Sequence, residues 1–385
     1  MSLRRLFPSR FAAIAAVVTL AAGAAVPIPA QQTMLLERAD SLLIAGQVAR
    51  AEALYYSLSR QATRDPAPRA ALGSYLGSRG AFRVGATLLE EALVFGADTA
   101  AIGRARAPLL QAGDDWAALA QLPGAPLSSA ARARATWLAA NPPVVSGADS
   151  VTVAFERSSV SGLGRVRLVV GRDTLAADVD PTTDELVVGD YTRYAALVRV
   201  FADSAGGRVA VIDSAAIGDL VLERVPARFD ARLGPSRARL GLILLAKLAP
   251  TVDEGAELLT LRRDGRVSAG TGRRRIAVVF GFPGLRIARP DRLVPIESPA
   301  GRAVLAQARW TLDIRRGELV LEVDERSGLF AALDVQKGCA KRRCRRNARH
   351  GIAIRNLSLV GWALATATET RSCSRTRTSA SCRRL

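Results

Sequence analysis

The proline pair at Pro142–Pro143 divides this chain of 385 residues into two parts with different hydrophobic periodicity. A helix cannot run through the pair, because each proline lacks a backbone N–H and fixes its own φ angle. Before the pair, apolar residues recur at helical spacing; after it, short β-branched segments are bounded by Gly, Asp or Ser. The sequence therefore predicts an α+β protein, with an N-terminal helical part followed by antiparallel strands.

The helical part, residues 31–140, contains a repeat. Gly46 and Gly80 are 34 positions apart, Gly113 follows 33 positions later, and a small residue stands five positions after each glycine. This pattern resembles the tetratricopeptide repeat, in which glycine forms the turn and the small residue lets paired helices approach closely. The resemblance implies a concave surface that binds a peptide or partner protein. The alternative is a helical spacer that only packs on the following domain.

The second part is predicted to be mostly strands, with one helix at Leu240–Leu248. The predicted strands are Val151–Phe155, Gly164–Gly171, Leu186–Val188, Tyr194–Phe201, Val209–Asp213, Asp219–Val225 and Glu257–Leu261.

This order of elements resembles a retropepsin-like aspartic protease domain at residues 148–265. The landmarks are an opening hairpin from Gly164, a flap region at Gly206–Gly207, an apolar-apolar-Gly turn at Leu240–Gly241 and a closing hairpin from Thr251. A second closing hairpin at Arg309–Leu321 indicates an extended or partly duplicated second lobe at residues 266–330.

The resemblance assigns the catalytic position to Asp180, at the start of Asp180-Pro181-Thr182, where the family carries Asp-Thr-Gly. Aspartic proteases pair two carboxylates that share a proton around one water. Proline removes both a hydroxyl and an amide donor from the turn, and threonine adds a Cβ where the family has none. Neither Asp-Thr-Gly nor Asp-Ser-Gly occurs anywhere in the chain.

Two interpretations of this loop follow. In the first, the protease fold is catalytically degenerate, and Asp178, Asp180 and Asp184 form a solvated acidic loop. In the second, hydrolysis is retained, with Asp180 supplying one carboxylate and another lobe or subunit supplying the second. Asp313 belongs to the second closing hairpin, so it is predicted to be a turn residue and not that partner.

Imidazole and thiol chemistry is confined to the C-terminal end. The single histidine is His350, and the four cysteines are Cys339, Cys344, Cys373 and Cys382. Ser-His-Asp, Cys-His, haem and His-rich zinc sites are therefore excluded from the rest of the chain. The prediction is a protein with neither a cofactor nor a metal site.

The N-terminus, residues 1–30, is predicted to be an export signal. Arg4, Arg5 and Arg10 precede an apolar run of 16 residues, Phe11–Val26, and small residues follow near Ala30. A spanning helix needs about 20 residues, so cleavage is expected and an uncleaved anchor is the alternative. The predicted location is the periplasm or the exterior.

The C-terminal tail, residues 331–385, carries thirteen Lys or Arg against two Asp or Glu, and so holds eleven of the nineteen net positive charges. Disorder is expected, with disulfide pairing, contact with anionic lipid or wall polymer, and a shifted reading frame as alternatives. No specific nucleic-acid partner is predicted.

The function predicted from the sequence is an exported scaffold that binds a protein or peptide. An active aspartic endopeptidase is the alternative, and a structural spacer is a third class. Membrane contact is expected only through the signal or the tail, and a homodimer is left open.

Overall fold

The computed structural model describes residues 28–322, except 124–126, 158–162, 190–191, 268–272, 282–283 and 307. Most of the predicted signal and the whole basic tail, with the histidine and all four cysteines, lie outside the described residues. Within the described ranges, no helix combines the length and the apolar character that crossing a bilayer requires.

The N-terminal helices form successive antiparallel hairpins, in which α1 packs on α2 and α3 packs on α4. Helix α5 then precedes the short α6, and α7 leads to the proline pair. The helices are α1 (Ile28–Ile44), α2 (Val48–Gln61), α3 (Pro66–Ser78), α4 (Phe82–Val94), α5 (Thr99–Ala112), α6 (Trp116–Ala120) and α7 (Ser129–Ala140).

The turn of each hairpin contains a residue with positive φ at a constant spacing. These residues are Gly46 at 71°, Gly80 at 86° and Asp114 at 56°, each 34 positions after the last. Gly113 lies in the third turn, where the repeat pattern placed it, but its φ is −84° and its neighbour Asp114 takes the left-handed conformation. Aspartate is among the few residues other than glycine that tolerate this conformation.

The small residue after the second turn has the predicted role. A Cβ on Gly85 would lie 2.6 Å from the Gly73 carbonyl oxygen and 2.8 Å from the Gly77 nitrogen, so α3 and α4 approach too closely for a side chain. Tyr55 and Tyr75 are buried and stacked with ring centroids 5.0 Å apart. The hairpin geometry fits the predicted repeat, and its membership of the tetratricopeptide class stays a prediction.

The strands are β1 (Val144–Gly147), β2 (Ser150–Ala154), β3 (Arg165–Val170), β4 (Asp173–Asp180), β5 (Leu186–Val188), β6 (Val198–Ala202), β7 (Arg208–Ile217), β8 (Leu220–Phe229), β9 (Arg237–Gly241), β10 (Thr251–Asp253), β11 (Leu258–Arg262), β12 (Arg273–Phe280), β13 (Leu285–Ala288), β14 (Leu293–Pro295), β15 (Arg309–Asp313) and β16 (Glu318–Glu322). Two short helices interrupt them among the described residues, α8 (Leu242–Lys247) and α9 (Pro299–Leu305).

The first sheet has the order β1-β8-β5-β9-β4-β3-β7-β6, and an additional pairing of β7 with β8 closes its middle strands into a barrel. The prediction of an antiparallel domain is wrong in part, because β4 pairs with β9 and β5 pairs with β8 in parallel. These parallel pairs join segments far apart in sequence, whereas the sequence patterns report only local hairpins. The predicted strand at Tyr194–Phe201 is also corrected, since Thr192–Leu197 is a 3₁₀ helix.

The second sheet has the order β14-β13-β12-β16-β15-β10-β11-β2, so its pairing crosses the predicted boundary at residue 265. Strands β10 and β15 meet with Thr251 opposite Thr311 and Val252 opposite Trp310. In this register a local twofold axis between the two threonines relates hairpin β10–β11 to hairpin β15–β16. The two threonine hydroxyls form a hydrogen bond of 2.8 Å. A hairpin, β15–β16, is present at the position of the predicted second closing hairpin.

The turns of the helical hairpins dock on the strand-rich part. A Cβ on Gly46 would lie 1.8 Å from the Arg289 carbonyl oxygen, and one on Gly80 would lie 1.9 Å from that of Ile314. In the third turn, Asp114 pairs with Lys247 of α8 at 2.6 Å. The 34-residue period thus places successive turns along the strand-rich part, which is the packing that the spacer alternative required.

We expect Gly80→Ala to destabilise the protein more than Gly96→Ala. Both glycines have positive φ, 86° and 93°, but a Cβ on Gly96 would have nothing within 4 Å. The free-energy cost of placing alanine at a positive φ is therefore similar at the two positions. The steric clash at Gly80 adds about 1–3 kcal/mol to the loss of stability. Urea unfolding midpoints of the two variants measure the difference. Equal midpoints would contradict the docking of this turn on Ile314.

Candidate functional site

The predicted catalytic residue, Asp180, is the last residue of β4. Strand β4 runs parallel to β9, and Asp180 lies beside Gly241, after which the chain turns into α8. The predicted apolar-apolar-Gly turn before the helix is therefore present. A Cβ on Gly241 would lie 2.4 Å from the backbone of Glu185, so glycine is required for this close approach.

The carboxylate of Asp180 holds the turn that follows it. Its Oδ1 accepts hydrogen bonds from the Thr182 backbone N–H at 2.9 Å and the Thr182 hydroxyl at 2.6 Å. Its Oδ2 lies 3.7 Å from a guanidinium nitrogen of Arg239. In the part of the chain that the structure describes, these hydrogen-bond and ion-pair partners of the buried carboxylate include no second carboxylate.

The residue after Asp180 faces an apolar cavity. Pro181 lines a space of about 20 Å³ together with side chains from the second sheet and its connections, among them Leu285, Ile296 and Trp310. A buried water needs roughly two to four polar partners, and the side chains around this cavity are aliphatic or aromatic. This side of the Asp180 turn is therefore unsuited to the shared water of a carboxylate pair.

Asp178 is buried between two arginines, so the predicted solvated acidic loop is wrong for this residue and for Asp180. The two aspartates are 2% and 7% exposed. Arg165, directly opposite on β3, donates to Asp178 at 3.0 Å, and Arg237 of β9 donates at 2.8 Å. The prediction failed because arginines on neighbouring strands pair with these carboxylates and offset the loss of solvation on burial.

These arginines were not predicted as part of the site, although the sequence contained a signal for them. Asp178 and Asp180 stand two positions apart, and so do Arg237 and Arg239. In a strand, residues two apart point to the same face, so matched acidic and basic pairs indicate neighbouring strands. The pairing of β4 with β9 is needed to see which pairs meet.

The remaining acidic residues of the loop face the helical part. Arg134 of α7, which is 5% exposed, donates to Glu185 at 2.7 Å and to the Ala227 carbonyl oxygen at 3.1 Å. Burial raises the pKa of the neighbouring Asp184, and the adjacent Glu185 carboxylate adds to this effect. The loop is therefore a structural junction between the helices and the barrel.

Asp313 is a turn residue, as predicted. Its Oδ1 accepts the Arg316 N–H at 3.3 Å, and Asp253 accepts the Ala256 N–H at 2.9 Å in the equivalent hairpin sixty residues earlier. Both hairpin turns thus use the same aspartate geometry.

The helical part contains an open groove between α4 and the third hairpin. The groove has a volume of about 370 Å³, and the charged or polar residues that line it include Arg83, Thr87, Glu90, Arg106 and Asp114. Arg106 forms an ion pair with Glu90. Both signs of charge therefore border the groove. Of the aromatic residues of the helical part, Tyr55, Tyr75 and Trp116 are buried, whereas Tyr56 is 37% exposed.

Comparison with known proteins gives limited information. No protein-family model matches the chain, and no curated protein matches it. A retropepsin-like aspartic protease from Rickettsia conorii is a weak structural neighbour, with 16% sequence identity and a TM-score of 0.23. The match covers 31% of this chain and 91% of the protease. Structural similarity at this level does not indicate whether this chain shares the activity of the protease.

We expect Asp178→Asn to destabilise the protein by about 3 kcal/mol, because it leaves two guanidinium groups without their shared buried counter-charge. The matched control is Asp149→Asn, whose carboxylate is 89% exposed and pairs with Arg263 at the surface. Surface pairs contribute roughly 0–1 kcal/mol. Urea unfolding of both variants makes the comparison. Equal losses in the free energy of unfolding would show that Asp178 is not the buried counter-charge of the two arginines.

Proposed function

We propose that this chain is an exported scaffold that binds a protein or peptide. In this proposal it consists of tetratricopeptide-like helices and a retropepsin-like fold that has lost its catalytic pair. The observation that carries the proposal is that the Asp180 carboxylate is bonded to Thr182, while Pro181 faces an apolar cavity. Export and the periplasmic or external location rest on the sequence of residues 1–30.

The order of elements supports the proposed fold. Strands β3 and β4 form a hairpin that ends at Asp180, β5 follows, and the β6–β7 hairpin occupies the predicted flap position. Strand β9 then returns parallel to β4 and passes through Gly241 into α8. Hairpin β10–β11 closes the first unit, and β15–β16 is its counterpart.

The chemistry of the Asp180 turn favours a degenerate site over an active one. An aspartic protease needs two carboxylates within reach of one water, with one acting as base and the other as acid. In the described residues the partners of Asp180 are hydroxyl, amide and guanidinium groups. A lone carboxylate held in this way supplies neither the second acid nor the shared water.

The groove between α4 and the third hairpin is the proposed peptide site. Its volume of about 370 Å³ falls within the range of ligand pockets, about 300–1,000 Å³. Arg83 and Glu90 can bond to the backbone or charged side chains of an extended peptide. The helices on both sides of the groove are held on the strand-rich part through their turns at Gly80 and Asp114.

We expect the full chain to show no peptidase activity on an unfolded protein substrate between acid and neutral pH, with or without pepstatin. Asp180→Asn should be equally inactive while remaining folded by circular dichroism. The assay is release of soluble peptides, with pepsin as the positive control. Cleavage by the wild type that Asp180→Asn abolishes would instead establish the endopeptidase alternative.

We expect Thr87→Arg to weaken peptide binding, because the long side chain fills the groove. The matched control is Val84→Arg, on the same helix, since Val84 is 54% exposed and does not line the groove. Peptides are selected from a displayed random library against the wild-type chain, and their dissociation constants are then measured. A loss of about tenfold or more for Thr87→Arg alone supports the site. Equal losses, or none, would place peptide binding elsewhere.

A further inference from the structure

A second open cavity lies where the two sheets meet. The end of β2, the start of β3, the β10–β11 turn and α9 enclose a volume of about 400 Å³. Phe155 and Leu163, which are 6% and 5% exposed, form an apolar wall. Gly164 and Gly255 contribute backbone without side chains. The cavity shares Leu163 with the apolar cavity beside Pro181 and shares no lining residue with the helical groove.

Two opposite charges line this cavity without contacting each other. Glu254 follows the turn aspartate of β10, and Arg302 lies in α9. Among the residues that the structure describes, neither side chain has a hydrogen bond or an ion pair. A third charged residue on the rim, Arg157, is already paired with Glu257 at 3.5 Å.

The burial of Glu254 is compensated only in part by a nearby positive charge. Burial raises the pKa of its carboxyl, and the nearby Arg157 opposes this rise only in part. A positive group placed in the cavity beside Glu254 would offset the lost solvation of the carboxylate. On the opposite side, the guanidinium of Arg302 presents a fork of donors that matches a carboxylate.

We propose that this cavity is a binding site for a zwitterionic α-amino acid with an apolar side chain. The ammonium group pairs with Glu254, the carboxylate pairs with Arg302, and the side chain packs on Phe155 and Leu163. A molecule that carries both charges can present one to the half-buried Glu254 and the other to the exposed Arg302. The apolar wall then selects among amino acids by the nonpolar area that each one buries. This site does not depend on the proposed peptide scaffold.

The test is isothermal titration calorimetry of the full chain with three probes. L-phenylalanine carries both charges, 3-phenylpropionate lacks the ammonium, and phenethylamine lacks the carboxylate. We expect L-phenylalanine to bind about tenfold or more tightly than either of the others, because each removed charge leaves a protein group unpaired. No heat of binding from L-phenylalanine up to about 10 mM would overturn the proposal.

Two variants identify the groups that bind each charge. Glu254→Gln should weaken the binding of L-phenylalanine by about tenfold and leave the affinity for 3-phenylpropionate no lower. Arg302→Gln should weaken the binding of both compounds. Arg266→Gln, at a 76% exposed side chain outside the cavity, is the matched control. Unchanged melting temperatures show that the variants remain folded. If L-phenylalanine binds all variants equally, it binds at another site and the assignment is wrong.

Discussion

The pairing of β10 with β15 is the contact on which the arrangement of this protein depends. It joins strands from before and after residue 265 into one sheet, and its centre is the hydrogen bond between the hydroxyls of Thr251 and Thr311. Both threonines are 2% exposed. A buried hydroxyl is destabilising unless it is hydrogen-bonded, and each threonine supplies the hydrogen-bond partner of the other. Arg262 also donates to the Thr251 hydroxyl at 2.7 Å.

This pairing determines what surrounds the Asp180 turn. It carries Trp310 and Leu312 to the apolar cavity that Pro181 lines, so the second half of the strand-rich part closes over the first. The same sheet receives the helical part: the Arg79 guanidinium donates to the Gly317 carbonyl oxygen at 2.6 Å and to that of Val278. The second sheet therefore encloses the Asp180 turn and also anchors the turn between α3 and α4.

Local features of the fold could be predicted from the sequence. The hairpin at β15–β16, the strand-to-helix turn at Gly241 and the close approach at Gly85 each depend on residues near one another in the chain. Glycine and alternating apolar residues report such features directly. The third helical turn contains the predicted Gly113, but the left-handed conformation that favours glycine is taken by Asp114.

Features that join distant segments could not be predicted. The parallel pairing of β4 with β9 leaves no local pattern, and it is this pairing that brings Arg237 and Arg239 to the buried aspartates. A run of aspartates in isolation is typical of a solvated loop. Its burial becomes visible only when the strands that supply the counter-charges are known.

A crystal structure of the full chain, at a resolution that shows ordered water, tests the central claim most directly. We predict that the Asp180 carboxylate accepts hydrogen bonds from the Thr182 amide and hydroxyl, and that the cavity beside Pro181 holds no water. A water held between Asp180 and a second carboxylate, from this chain or from a second copy, would contradict this prediction and support the alternative of an active endopeptidase.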